Sequence, residues 1–164
     1  MIAQNRCTQG VGERSWNPYI ALVNAPLYNT EILRLAATAP YAERLSDPMG
    51  TSEKRSPICG SRITVDVNVD EDGRVARLGM LVRACALGQA SASLMASAIV
   101  GKSAAEIEAA RDALTAWLAG EADSPPEWEG LAIFAPALPH SARHASIRLA
   151  FDAAAEATAQ AAAR

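Results

Sequence analysis

The segment from Arg62 to Arg83 limits what this chain can fold into more than any other stretch. Ile63, Val65, Val67 and Val69 alternate with Arg62, Thr64, Asp66 and Asn68, a period of two that gives a strand one apolar and one wetted face. Asp70, Glu71, Asp72 and Gly73 follow, and the glycine admits the positive φ that tight turns need. The returning strand sets Ala76, Leu78, Met80 and Val82 on one face, with Arg74, Arg77 and Arg83 left to water. An antiparallel hairpin centred near Glu71 pairs residues whose numbers sum to about 142. Cys59 then falls opposite Arg83, with Cys85 just beyond, so both thiols meet at the hairpin's open end.

Helical patterns account for most of the remainder. Tyr28 to Thr38 places Ile32, Leu33 and Ala36 on one face and stops before Pro40. Residues 41–57, with Pro48, Gly50 and several Ser and Thr, read as a loop with room for an edge strand. Leu87 to Val100 is an Ala/Ser-rich helix closed by Gly101. Ser103 and Glu106 form a capping box before a helix carrying Ile107, Ala110, Leu114, Trp117 and Leu118. Ser124, Pro125 and Pro126 break the chain, and residues 127–139 form a short connection. The last helix starts near Ser141, carries Ile147, Leu149, Ala150 and Phe151, and fades into an Ala-rich end expected to fray. This order predicts an α+β fold, a small antiparallel sheet (the hairpin plus an edge strand) with helices on one face. The expected organisation is an extended or partly disordered lead over 1–25, a domain over 26–156 and an Ala-rich helical tail over 157–164.

Charge and cysteine usage narrow the function classes. A net charge of −3 and a pI near 5.4 argue against a nucleic-acid surface, which needs a basic face. No apolar run is long enough to span a bilayer, and the first 20 residues have no secretory pattern, so no membrane partner and a cytoplasmic location are expected. Three cysteines are too few for a disulfide scaffold, and thiols in a reducing compartment are free, buried, catalytic or metal-bound. Cys7 lies in the lead and receives no role. Gly60 lets the backbone turn Cys59 out of its strand. Cys85 opens the Ala/Ser-rich helix, whose unpaired amides and dipole favour a thiolate, the form that ligates metal and attacks sulfur. Buried filler is the plain alternative for any cysteine, but convergence at one strand end favours a site. Two thiols alone fall short of the four ligands of a closed zinc site.

At these residues the sequence resembles a known family. Pro57-Ile58-Cys59-Gly60-Ser61-Arg62-Ile63 is similar to the Pro-x-Cys-Gly-Asp-Arg-Ile segment of NifU-like iron–sulfur assembly proteins, the IscU and SufU group. Cys85-Ala-Leu-Gly-Gln-Ala-Ser-Ala-Ser-Leu-Met, followed by Gly101-Lys102, resembles their second-cysteine helix, and Leu27 to Pro40 their first helix. The resemblance spans roughly residues 27 to 155. It implies a zinc or [2Fe-2S] site of three cysteines and an aspartate, with Cys59 and Cys85 as the first two cysteines. The aspartate position holds Ser61. The third cysteine is replaced by Ser146 in a SufU-like register, which is the preferred one, or by Ala145 in an IscU-like register that keeps His144 as the neighbouring histidine. Leu138-Pro139-His140 is at best a remnant of the IscU chaperone-docking motif.

A hydroxyl is a poor ligand for soft iron–sulfur or zinc chemistry. Two thiolates with His140 or His144 and water still amount to an open zinc site. The weaker metal-ligand candidates are therefore Ser61, His144 and Ser146, each with a plain structural alternative: a strand polar position, a helix-end histidine and a cap hydroxyl. Asp66, Asp70, Glu71 and Asp72 read as hairpin solvation, since they lack calcium-loop spacing. The resemblance implies a scaffold-type protein rather than an enzyme, handling iron, a [2Fe-2S] cluster or zinc at Cys59 and Cys85. Its expected partners are a cysteine desulfurase and other iron–sulfur assembly proteins, with a homodimer left open. The alternatives are a sulfur acceptor of a cysteine desulfurase and a degenerate member that binds partners without a cluster.

Overall fold

A computed structural model describes residues 26–164; the 1–25 lead and Cys7 lie outside the described residues. Three antiparallel strands, β1 (Gly50–Arg55), β2 (Arg62–Val69) and β3 (Val75–Arg83), form one sheet in the order β1-β2-β3. Around it stand α1 (Thr30–Ala37), α2 (Ala86–Ala98), α3 (Ala104–Leu118) and α4 (Ser141–Ala162), with a 3-10 helix at Leu131–Ala137. The fold is α+β, and the loop expected to hold an edge strand supplies β1.

The alternating strand buries Ile63, Val65 and Val67 beneath the helices. The expected pairing is displaced: Arg83 opposes Arg62, not Cys59. An irregularity between Asn68 and Val69 pairs Val69 with Val75, and the Asp70 carboxylate accepts from the Asp72 and Arg74 amides to close the turn. Val75 is consequently buried and Ala76 exposed, the reverse of the regular alternation.

On the outer face of β2, Asp66 is fully buried rather than solvated as its sequence context suggests. Arg44 grips both of its oxygens, Nη2 donating at 2.9 Å to Oδ1 and Nε to Oδ2. The Leu45 amide (3.1 Å) and the Thr51 hydroxyl (2.9 Å) also donate to it. Residues 41–45 thus strap the sheet, with the Met80 amide donating to the Tyr41 and Glu43 carbonyls. Nothing in the sequence pattern of this loop predicts that cover, because its apolar and polar residues have no period.

Ser103 and Glu106 form the expected capping box, each side chain accepting from the other's backbone amide. Residues 127–139 contain the 3-10 helix, which buries Leu131, Phe134, Ala135, Pro136 and Ala137. The Ala-rich end of α4 stays helical to Ala162 and buries Ala157, Thr158 and Ala161, so its packing runs past residue 156. There α4 lies so close to β1 that a Cβ on Gly50 would sit 1.9 Å from the Ala157 carbonyl oxygen.

Candidate functional site

Three chain segments meet at the open end of the hairpin. The first is the β1–β2 loop, residues 56–61, closed by the Ser56 amide donating to the Ser61 carbonyl at 2.8 Å. Within it the Ser56 hydroxyl accepts from the Ile58 and Cys59 amides at 3.4 Å each. Gly60 takes φ +68°, a conformation that a β-carbon disfavours, and this turns Cys59 inward. The second segment is the N-terminus of α2, where Cys85 is the cap residue in extended conformation. The third is the first turns of α4, which carry Ser146. Gly88 lets α2 approach α4: a Cβ there would lie 3.2 Å from the Ser146 carbonyl oxygen. The Ser91 hydroxyl donates to the Ile147 carbonyl at 2.6 Å across the same crossing.

Cys59 is the centre of this arrangement. Its Sγ lies 3.0 Å from the Ser61 hydroxyl and 2.9 Å from the Ser146 hydroxyl. As a thiol it donates to Ser61; as a thiolate it accepts from both. The Cys85 amide donates to the same Ser61 oxygen at 3.4 Å, so one oxygen atom bridges the Cys59 sulfur and the Cys85 backbone. Both cysteines are free and half-buried, whereas Ser61 and Ser146 are buried. Burial pushes the Cys59 thiol up. Hydrogen bonds from Ser146, Ser56 and Ser61 outweigh that and bring it down to about 6, so the thiolate predominates at neutral pH.

The structure therefore gathers Cys59, Cys85, Ser61 and Ser146. Of the two alternatives for the third position, Ser146 has a side chain hydrogen-bonded to Cys59. His144 is engaged elsewhere: its Nε2 donates to the Ala137 carbonyl at 2.9 Å, tying α4 to the 3-10 helix. His140 is the exposed N-cap residue of α4. Sequence reasoning missed Ser56, though Ser56-Pro57 before Cys59 is a turn signal that could have pointed to it.

The chain matches the family model described as the NifU-like N terminal domain over residues 28–160. It belongs to the NifU-like N-terminal domain family. A crystal structure of a NifU-like protein (N-terminal) from Brucella abortus is similar at 36% identity and a TM-score of 0.77, covering 87% of this chain and 96% of that one. That of a putative iron–sulfur cluster assembly scaffold protein for the SUF system from Fervidobacterium islandicum has a TM-score of 0.72 at 19% identity, covering 80% and 96%; it shares the fold. No curated protein matches the chain significantly.

Cys59 and Cys85 are soft donors, but the other groups touching Cys59 are hydroxyls. Among the described residues no cluster of three or more His, Cys, Asp or Glu side chains could hold a metal ion. A closed zinc site or a fully ligated [2Fe-2S] cluster needs four strong donors. The described residues supply half of such a set and do not close it.

Proposed function

We propose that this protein serves iron–sulfur cluster assembly as a scaffold-type NifU-like protein, with Cys59 and Cys85 as its working thiols. The observation that carries the reading is that both family cysteines stand at one end of the sheet, joined through the Ser61 hydroxyl. Iron, a [2Fe-2S] cluster or zinc is cargo here: two thiolates from this chain grip it, and water, small thiols or a partner protein complete its coordination. The cysteine desulfurase and the remaining assembly proteins are the corresponding partners. The cytoplasm suits the role, since free thiols persist there. Among the described residues no helix is long and apolar enough to cross a membrane.

Anaerobic reconstitution with iron and sulfide, followed by metal analysis, tests this reading. The wild type should retain iron or a cluster chromophore, and Cys59→Ser and Cys85→Ser should each lose most of it. Equal metal content in wild type and both variants would sink it.

A second reading is favoured by the hydroxyls around Cys59. A thiolate accepting two hydroxyl hydrogen bonds is a prepared nucleophile, suited to accept sulfane sulfur as a persulfide from a cysteine desulfurase. This role needs no third ligand. Incubation with a desulfurase and cysteine should add the mass of one sulfur atom to the peptide bearing Cys59.

A further inference from the structure

We propose that Cys59 and Cys85 act as a carrier and resolver pair, in which Cys85 discharges a persulfide on Cys59 as free sulfide. The proposal rests on the sulfur-acceptor reading and adds a reaction to it. Three observations support the division of labour. Cys59 is the sulfur that hydroxyls hold, from Ser61 at 3.0 Å and Ser146 at 2.9 Å. The Cys85 backbone is linked to that sulfur through the Ser61 oxygen, which accepts from the Cys85 amide at 3.4 Å, so the two cysteines belong to one small cluster. Cys85 also stands at the N-cap of α2, and its side chain makes no capping hydrogen bond that would have to break. Two of the four strong donors of a closed cluster cradle are missing among the described residues, whereas a persulfide exchange needs only the two thiols.

The step balances without an outside oxidant. The Cys85 thiolate attacks the inner sulfur of the Cys59 persulfide, a disulfide-like centre. A bond forms between the two cysteine sulfurs as the bond to the outer sulfur breaks, and hydrosulfide leaves with the electron pair. The outer sulfur is reduced by two electrons, and the two cysteines are left oxidised as one disulfide. A dithiol reductant restores them by exchange. Ser61 and Ser146 are positioning residues, holding the inner sulfur toward the α2 terminus. Open space beside Gly60 leaves the loop a side from which a sulfur donor can approach.

The full chain carrying Cys7→Ser limits the chemistry to these two thiols. It is loaded anaerobically in two arms, one with inorganic polysulfide and one with a cysteine desulfurase plus cysteine, then desalted. Sulfide release and peptide masses are followed together. The adduct on Cys59 should decay with one sulfide released for each sulfur lost, as a Cys59–Cys85 disulfide appears. In Cys85→Ser the adduct should persist, with release slowed at least about tenfold because the attacking thiol is gone. Serine is favoured at an N-cap, so this variant should fold, and circular dichroism checks it. Sulfide release at the wild-type rate from Cys85→Ser overturns the proposal, as does transfer of the outer sulfur onto Cys85 without release. A desulfurase arm that leaves Cys59 unmodified while polysulfide loads it sinks the acceptor reading instead, and the polysulfide arm still judges the resolver.

Discussion

Cys59 has hydroxyl neighbours from two separate segments, Ser61 in the β1–β2 loop and Ser146 in α4. Where the resemblance implies a third thiolate ligand, Ser146 instead offers a hydrogen bond. Such a bond contributes about 1 kcal/mol net, and one pKa unit is worth about 1.4 kcal/mol. Ser146→Ala should therefore move the Cys59 midpoint upward from about 6 by about one unit. The sign follows from the charge: the hydroxyl stabilises the thiolate, so losing it favours the protonated form. Iodoacetamide alkylation of Cys59 against pH in a Cys7→Ser background measures this, and an unmoved midpoint would show that Ser146 does not donate to the sulfur. The importance of Cys59 and Cys85 is legible in the sequence, from their strand-end placement and from the resemblance. The part played by Ser146 is legible only through the resemblance, because 87 positions separate it from Cys59 and no local pattern joins them.

At the scale of elements, the strap over Asp66 shows where periodicity stops being informative. The apolar face of β2 and the capping box of α3 are local patterns and read directly. The burial of Asp66 depends on Arg44 and Leu45, in a loop without a repeat, and the short 3-10 helix around Pro136 is hidden for the same reason. Burial pushes the Asp66 carboxyl up, but Arg44, Thr51 and the Leu45 amide outweigh it and hold it below the usual carboxylate range. A carboxylate with a lowered folded-state pKa stabilises the fold above its unfolded pKa of about 3.9 and loses that contribution as pH falls through the folded value. Asp66→Asn should cost about 2 kcal/mol at neutral pH, below the usual cost of breaking a buried ion pair because Arg44 is half-exposed. Urea unfolding should show a gap between variant and wild type that is constant from pH 7 to about 5 and narrows below about 4. A gap independent of pH would mean that the charge on Asp66 contributes nothing to the strap.

For the whole molecule, α4 is the element that joins the core to the site. Its first turns carry Ser146, its middle buries Phe151 and its far end lies on β1. Two glycines permit these approaches, and they separate stability from site chemistry. A methyl group on Gly50 would press on the Ala157 carbonyl, at the end of α4 remote from Cys59. On Gly88 it would press on the Ala84 Cβ at 2.7 Å and the Ser146 carbonyl at 3.2 Å, beside the site. Overpacking of this kind costs about 1–3 kcal/mol, so Gly50→Ala and Gly88→Ala should each lower the melting temperature by several degrees. Only Gly88→Ala should also shift the pH midpoint of Cys59 alkylation upward, since it alone displaces the backbone that aims Ser146. An equal shift in both variants would mean that α4 transmits displacement along its whole length as a rigid lever. A shift in neither, with stability lost in both, would place the control of Cys59 in its own loop, with Ser56 and Ser61 rather than with the helix.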